Sequence, residues 1–172
     1  MSKFNISYLD AHDEERVVAW ERALYRAFNS AELLELIWDV DRKNRRIKTR
    51  IPYASQLIVV GSVEDAVIAG MAINFNMADR LQLEMYGFSL DKQESGMCEG
   101  LCLFNSLIFS GDSTVMFDMR DFMYEELRNR NITKTYGTCS ENRIKGYRAL
   151  GFRDIDRKVI DGHAKYLFVG RM

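Results

Sequence analysis

Apolar residues recur along this chain with two periods, and the switches between them divide it into elements. Phe4 to Leu9 (FNISYL) alternates and predicts a first strand. Asp10 and Asp13 supply capping chemistry, and Val17, Trp20, Leu24 and Phe28 then recur at helical spacing, which predicts an amphipathic helix from Asp13 to Phe28. Asn29-Ser30 breaks it, and Leu33, Leu34, Ile37 and Trp38 give a second helix an apolar face from Ala31 to about Val40. The aromatic stripe Trp20, Tyr25, Phe28 and Trp38 reads as core. Gln56–Val60 (QLIVV) and Ala66–Phe75 (AVIAGMAINF) predict an antiparallel hairpin turned at Ser62–Asp65, with Gly70 marking a bulge or a close backbone neighbour. The stretch LQLEMYGFSL fits either a short helix or an extra strand, and Met97–Phe109 (MCEGLCLFNSLIF) reads as a central strand.

After the turn Ser110–Thr114, a helix is predicted to Asn131, with Met116, Met119, Met123 and Leu127 on one face. A strand Thr133–Thr138 and a short helix Glu141–Leu150 follow, stopped by Gly151. Arg153–Val159 and Ala164–Val169 close the chain as a hairpin around Asp161-Gly162.

The order is strand, two helices, three strands, helix, strand, helix, two strands, which is an α+β arrangement. With 172 residues, 47% hydrophobic and 28% charged, the chain is expected to form one globular domain over 1–172. A net charge of -1 provides no field to draw it to nucleic acid or an anionic membrane. No apolar run approaches the roughly 18 residues of a membrane span, and the polar start MSKFNISYLDAHDEER lacks a signal peptide's apolar core. Cys98, Cys102 and Cys139 have no metal-ligand spacing and read as reduced thiols of a cytoplasmic protein. The basic run Arg42–Arg50 (RKNRRIKTR) is a solvated loop or helix end, or a rim that attracts an acidic carrier or an anionic substrate.

The stretch TKTYGTCSENRIKGYRALGF carries the pattern Ile-x-x-Tyr-x-x-Leu-Gly-Phe over Ile144–Phe152. This resembles the closing motif of the GNAT N-acyltransferase superfamily, and the element order matches that fold along nearly the whole chain. The resemblance implies a central mixed, mostly antiparallel sheet flanked by helices. It also implies transfer of an acyl group from acetyl-CoA or a longer acyl-CoA to a small-molecule amine. An amine must lose a proton to attack a thioester, and the leaving thiolate must gain one. Tyr147 matches the family's tyrosine beside the thioester. Glu99, a charge interrupting an apolar strand, is the candidate base, with Glu84 in reserve. His12 and His163 read as solvent or turn histidines.

The resemblance places the cofactor along Leu103, Asn105, Gly111, Asp112, Ser113, Thr114, Val115 and Ser140. In the family's pyrophosphate loop Gly111 would stand for an Arg or Gln, and Thr114 and Met116 for small residues. Asp112 puts negative charge where phosphates would lie. Helix N-terminal N–H groups, with the Ser113 and Thr114 hydroxyls, remain as donors.

A narrower set of features is similar to the acyl-homoserine-lactone and N-acyl amino acid synthase branch: Asp39-Val40-Asp41, the hairpin through Gly70, the LQLEMYGFSL insert and Glu99-Gly-Leu-Cys-Leu. That branch takes acyl groups from the phosphopantetheine arm of acyl carrier protein, which gives the basic run a partner. Its two arginines would fall on Cys102 and near Asn74 and are absent. A third reading, motivated by the loop at Gly111–Met116, is a GNAT-fold binding or regulatory protein without enzymatic activity.

Overall fold

The computed structural model describes residues 4–106 and 114–172. Seven strands form one sheet in the order β1 (Asn5–Tyr8), β4 (Gln56–Val63), β5 (Ala66–Asn74), β6 (Met97–Asn105), β7 (Lys134–Ser140), β9 (His163–Arg171) and β8 (Arg153–Ile160). All neighbours are antiparallel except β6 and β7, which run parallel. The sheet is therefore mixed and mostly antiparallel, as expected. Helix α1 (Glu14–Phe28) covers one face through Trp20, Leu24 and Phe28, and α4 (Thr114–Asn129) covers the other through Val115, Met119, Met123 and Leu127. Asp13 caps α1 by accepting from the Arg16 N–H at 3.1 Å, and Glu14 and Glu15 complement its dipole.

The second helix is shorter than its apolar spacing predicts. It comprises only α2 (Leu34–Ile37), entered through Leu33 in the left-handed region at φ 60°. Trp38–Asp41 instead forms β2, paired antiparallel with β3 (Arg46–Thr49). The basic run is thus the exposed turn and the second strand of a β-hairpin, and not a helix end. Its turn is held by Asp41, which accepts from the Asn44 N–H at 2.9 Å and from its side-chain amide at 2.6 Å, while Arg45 takes φ 53°. Those bonds hold the Asp41 carboxyl below its ordinary value.

Three arginines of the run are neutralised locally. Arg42 pairs with Glu35, Arg46 with Glu21 and Arg50 with Asp39. Glu21 is buried in α1 and also accepts from the Tyr53 hydroxyl at 2.7 Å, so it ties α1 to the hairpin. The stretch of two possible conformations resolves to a short helix, α3 (Gln82–Met85). The last short helix, α5 (Ile144–Ala149), follows a 3-10 turn at Glu141–Arg143.

Gly70 marks a close neighbour and not a bulge. A Cβ there would lie 2.2 Å from the Trp20 ring and 2.6 Å from Phe104, so the glycine lets both aromatics lie on the strand. Gly70→Val is expected to lower stability by about 1–3 kcal/mol through overpacking. Urea unfolding would read this as a lower midpoint at unchanged slope.

Candidate active site

The sheet opens at one place. β6 and β7 pair from Met97↔Lys134 to Gly100↔Gly137 and no further, although both strands continue. The cause lies on the other side of β6. Opposite β5, Ile73 pairs with Gly100 and Ala72 with Cys102, leaving Leu101 as an extra residue. Such a bulge bends its strand and sharpens its twist, and it falls immediately after the last β6–β7 pair. The Leu101 carbonyl accepts from Gln82 Nε2 at 2.8 Å, and Gln82 Oε1 in turn accepts from Trp38 Nε1.

Three cavities meet at this gap. A cleft of about 740 Å³ runs between α1, the end of β6, the start of α4 and α5, bordered by Arg26, Asn105, Met116, Phe117 and Asn142 among others. A cavity of about 60 Å³ lies toward α1 and α2, lined by Phe28, Trp38, Gln82, Ser140, Arg143 and Lys165 among others. A third, about 30 Å³, lies on the α4 face among Met71, Ile73, Met123, Leu127 and Phe168. Leu103 and Tyr147 line all three.

Tyr147 is half-buried on α5. Its ring stacks on Phe168 with centroids 4.3 Å apart and meets the edge of Phe152 at 5.7 Å. Phe168 can lie there because Gly137, at the last paired register of β7, has no Cβ; one would come within 2.6 Å of it. Burial pushes the Tyr147 phenol well above its ordinary value, so it is a neutral hydrogen-bond donor at neutral pH.

Glu99 is 1% exposed. Its carboxylate accepts from the backbone N–H of Leu83 at 2.7 Å, of Gln82 at 3.1 Å and from Asn74 Nδ2 at 3.3 Å. It therefore caps the N-terminus of α3 from a neighbouring strand. Burial raises its pKa and the three hydrogen bonds oppose that rise. Glu99 lines none of the three cavities, whereas its partner Gln82 lines the one toward α1. Glu84 accepts from the Leu81 N–H at 2.9 Å and pairs with Lys92.

Of the other expected site residues, Asn105 borders the large cleft and Ser140 the cavity toward α1. Thr114 is exposed at the start of α4, and the Val115 side chain is buried in the core, so only its backbone could serve a ligand. Gly111, Asp112 and Ser113 lie outside the described residues. Asp39 and Asp41 are taken up by Arg50 and Asn44. Asn74 bonds Glu99, and Cys102 is buried in the wall of two cavities.

Sequence reasoning missed Arg143, Gln82 and Lys165. The signal for Lys165 was available: in alternating β9 it is in phase with the buried Leu167 and Val169. Among the described residues, no helix is long and apolar enough to cross a membrane.

No family model and no curated protein matches this chain in sequence. Solved structures do match it in fold, and that fold is the GNAT fold. A probable acetyltransferase from Staphylococcus epidermidis is 12% identical, with 98% of this chain and 99% of that one covered at a TM-score of 0.63. The acyl-homoserine lactone synthase LasI gives a TM-score of 0.76 at 8% identity over 98% of this chain and 90% of its own. The CoA-dependent acyl-homoserine lactone synthase MesI gives 0.71 at 13% identity, covering 96% and 87%.

Glu99 yields a prediction with a definite sign. Its folded pKa is raised, so its contribution to stability is fully present below the ordinary glutamate range and is lost as pH rises through the folded value. Glu99→Gln is expected to remove that decline. It should also cost about 1–3 kcal/mol overall, because one amide oxygen cannot replace a carboxylate facing three donors. Thermal unfolding across pH 4 to 8 would check both effects.

Proposed function

We propose that this protein is an N-acyltransferase that moves an acyl group from an acyl thioester, acetyl-CoA or a longer acyl-CoA, to a small-molecule amine. The observation that carries the reading is the open β6–β7 gap with Tyr147 at its meeting point with three cavities. Past Gly100 the edge of β6 has, among the described residues, no strand partner on the β7 side, which suits an extended amide-bearing arm that adds to it as a further strand would. The cleft of about 740 Å³ has room for the remainder of the donor. Two of the similar proteins, MesI and BjaI, are CoA-dependent synthases, one structure of the latter holding isopentyl-CoA, and this supports CoA over a carrier protein as the donor. The pairing of Arg42, Arg46 and Arg50 with nearby carboxylates also weakens the case for a basic carrier-docking rim.

In this reaction the amine nitrogen attacks the thioester carbonyl, the C–S bond breaks, and the proton lost by the amine ends on the thiolate. Tyr147 is held neutral by its surroundings. A phenol whose pKa lies above that of a thiol gives up its proton reluctantly, so Tyr147 acts first as a donor that hydrogen-bonds the departing sulfur. Glu99 is engaged by the start of α3 and holds Gln82 at the bulge; its part is positioning, with solvent taking the amine proton. Leu103 and Asn105 border the cleft assigned to the donor, and Ser140 borders the cavity toward α1 assigned to the amine.

Calorimetry with CoA and acetyl-CoA tests the donor: absence of binding at millimolar ligand would sink the reading. Tyr147→Phe keeps the stack on Phe168 and is expected to lower kcat by about 10²–10³-fold through loss of one hydrogen-bond donor to developing charge, with CoA affinity within a few-fold of wild type.

A further inference from the structure

The donor reading leaves the cavity toward α1 unexplained. That cavity, about 60 Å³, holds space for about four waters or one small polar group. Its wall is largely aromatic and aliphatic, yet it contains the ammonium of Lys165, a residue only 3% exposed. Lys165 Nζ donates to Ser140 Oγ at 2.7 Å and to the Glu32 carbonyl at 3.0 Å, and stands 5.1 Å over the Tyr86 ring. All three partners are neutral. Among the described residues it forms no ion pair, and its third hydrogen has no acceptor.

Glu32 also lines the cavity, and its carboxylate pairs with His163 Nδ1 at 2.8 Å. The second cation of the wall, Arg143, donates to the Ala27 carbonyl at 3.3 Å and lies 4.4 Å over the Phe28 ring, likewise without a carboxylate among the described residues. Burying an ammonium without an anion is costly. Burial depresses the Lys165 pKa, Glu32 opposes that, and Arg143 adds to it.

We infer that Lys165, assisted by Arg143, makes this cavity a subsite for a carboxylate carried by one of the two reactants, an inference that rests on the acyltransfer reading. An incoming carboxylate would supply the missing anion and accept the unused ammonium hydrogen, a charge-assisted bond in a water-poor wall. Two reactants could bring it: an amine acceptor of the amino-acid type, or an acyl group that is itself the half-thioester of a dicarboxylic acid. Lys165 is a positioning residue in either case.

The experiment uses two ligand pairs on the whole protein, the members of each differing by one carboxylate. N-acetylglycine against N-acetylglycinamide probes the acceptor source, and succinyl-CoA against acetyl-CoA probes the acyl source, each by calorimetry. One pair is expected to show the carboxylate form binding about tenfold or more tightly, and that pair names the source. Lys165→Gln, which keeps donors for Ser140 and Glu32 but removes the charge, is expected to abolish the preference and leave affinity for CoA unchanged. Lys165→Met serves as the second variant, and the wild-type comparison needs neither. No preference in either pair, or a preference that survives in a folded Lys165 variant, overturns the inference. If CoA fails to bind while N-acetylglycine binds in a Lys165-dependent way, the subsite stands and the acyltransferase reading falls.

Discussion

The extra residue at Leu101 is the constraint on which the rest of the molecule turns. A parallel pair of central strands has every reason to continue: unpaired backbone groups in an interior are costly. Here β6 and β7 part after Gly100 and Gly137 because the bulge opposite Ala72 and Ile73 redirects β6. The redirection is stabilised by the Gln82 amide, which reaches the Leu101 carbonyl and is itself fixed by Trp38. The gap is thus built into the register of three strands and locked by side chains from α3 and β2.

Glu99 extends the same lock. A carboxylate in a buried strand invites a catalytic reading, and its position two residues before the bulge reinforces that temptation. Its three donors argue for a different task. By capping α3 it holds Gln82 where the bulge needs it. Asn74, directly across the ladder from Glu99, supplies one of those donors. A single acidic side chain therefore couples β5, β6 and α3.

Much of the fold was legible because strong periods marked it: α1, α4, the β4–β5 hairpin and the final hairpin all fall where alternation or helical spacing placed them. The β2–β3 hairpin was not, for a physical reason. Trp38, Val40 and Ile47 alternate inward, but Leu33, Leu34, Ile37 and Trp38 also fit a helix, and the charges of the turn hid the second strand. Tertiary pairing through Glu21 and Arg46 decided between two local choices. In the candidate site, Tyr147 was legible through its motif. Lys165 was overlooked although its phase with Leu167 and Val169 marked it as inward-facing, because a lysine in a strand is ordinarily a solvated residue.

The gap also divides the site between the two faces of the sheet. The small apolar cavity lies against α4 and the cation-bearing one against α1 and α2, while the large cleft reaches Tyr147 from the side of α4 and α5. Leu103 and Tyr147 alone among the expected site residues touch all three. Under the proposed acyl transfer, two reactants that enter from different cavities would meet there, so the geometry would restrict where a bond forms more tightly than any one residue does. Phe168 makes that meeting point rigid: it lies against bare Gly137 and presents its ring to Tyr147. The glycine at which β7 leaves β6 is thus also the one that seats the aromatic platform, and opening the sheet and placing the tyrosine are a single structural act.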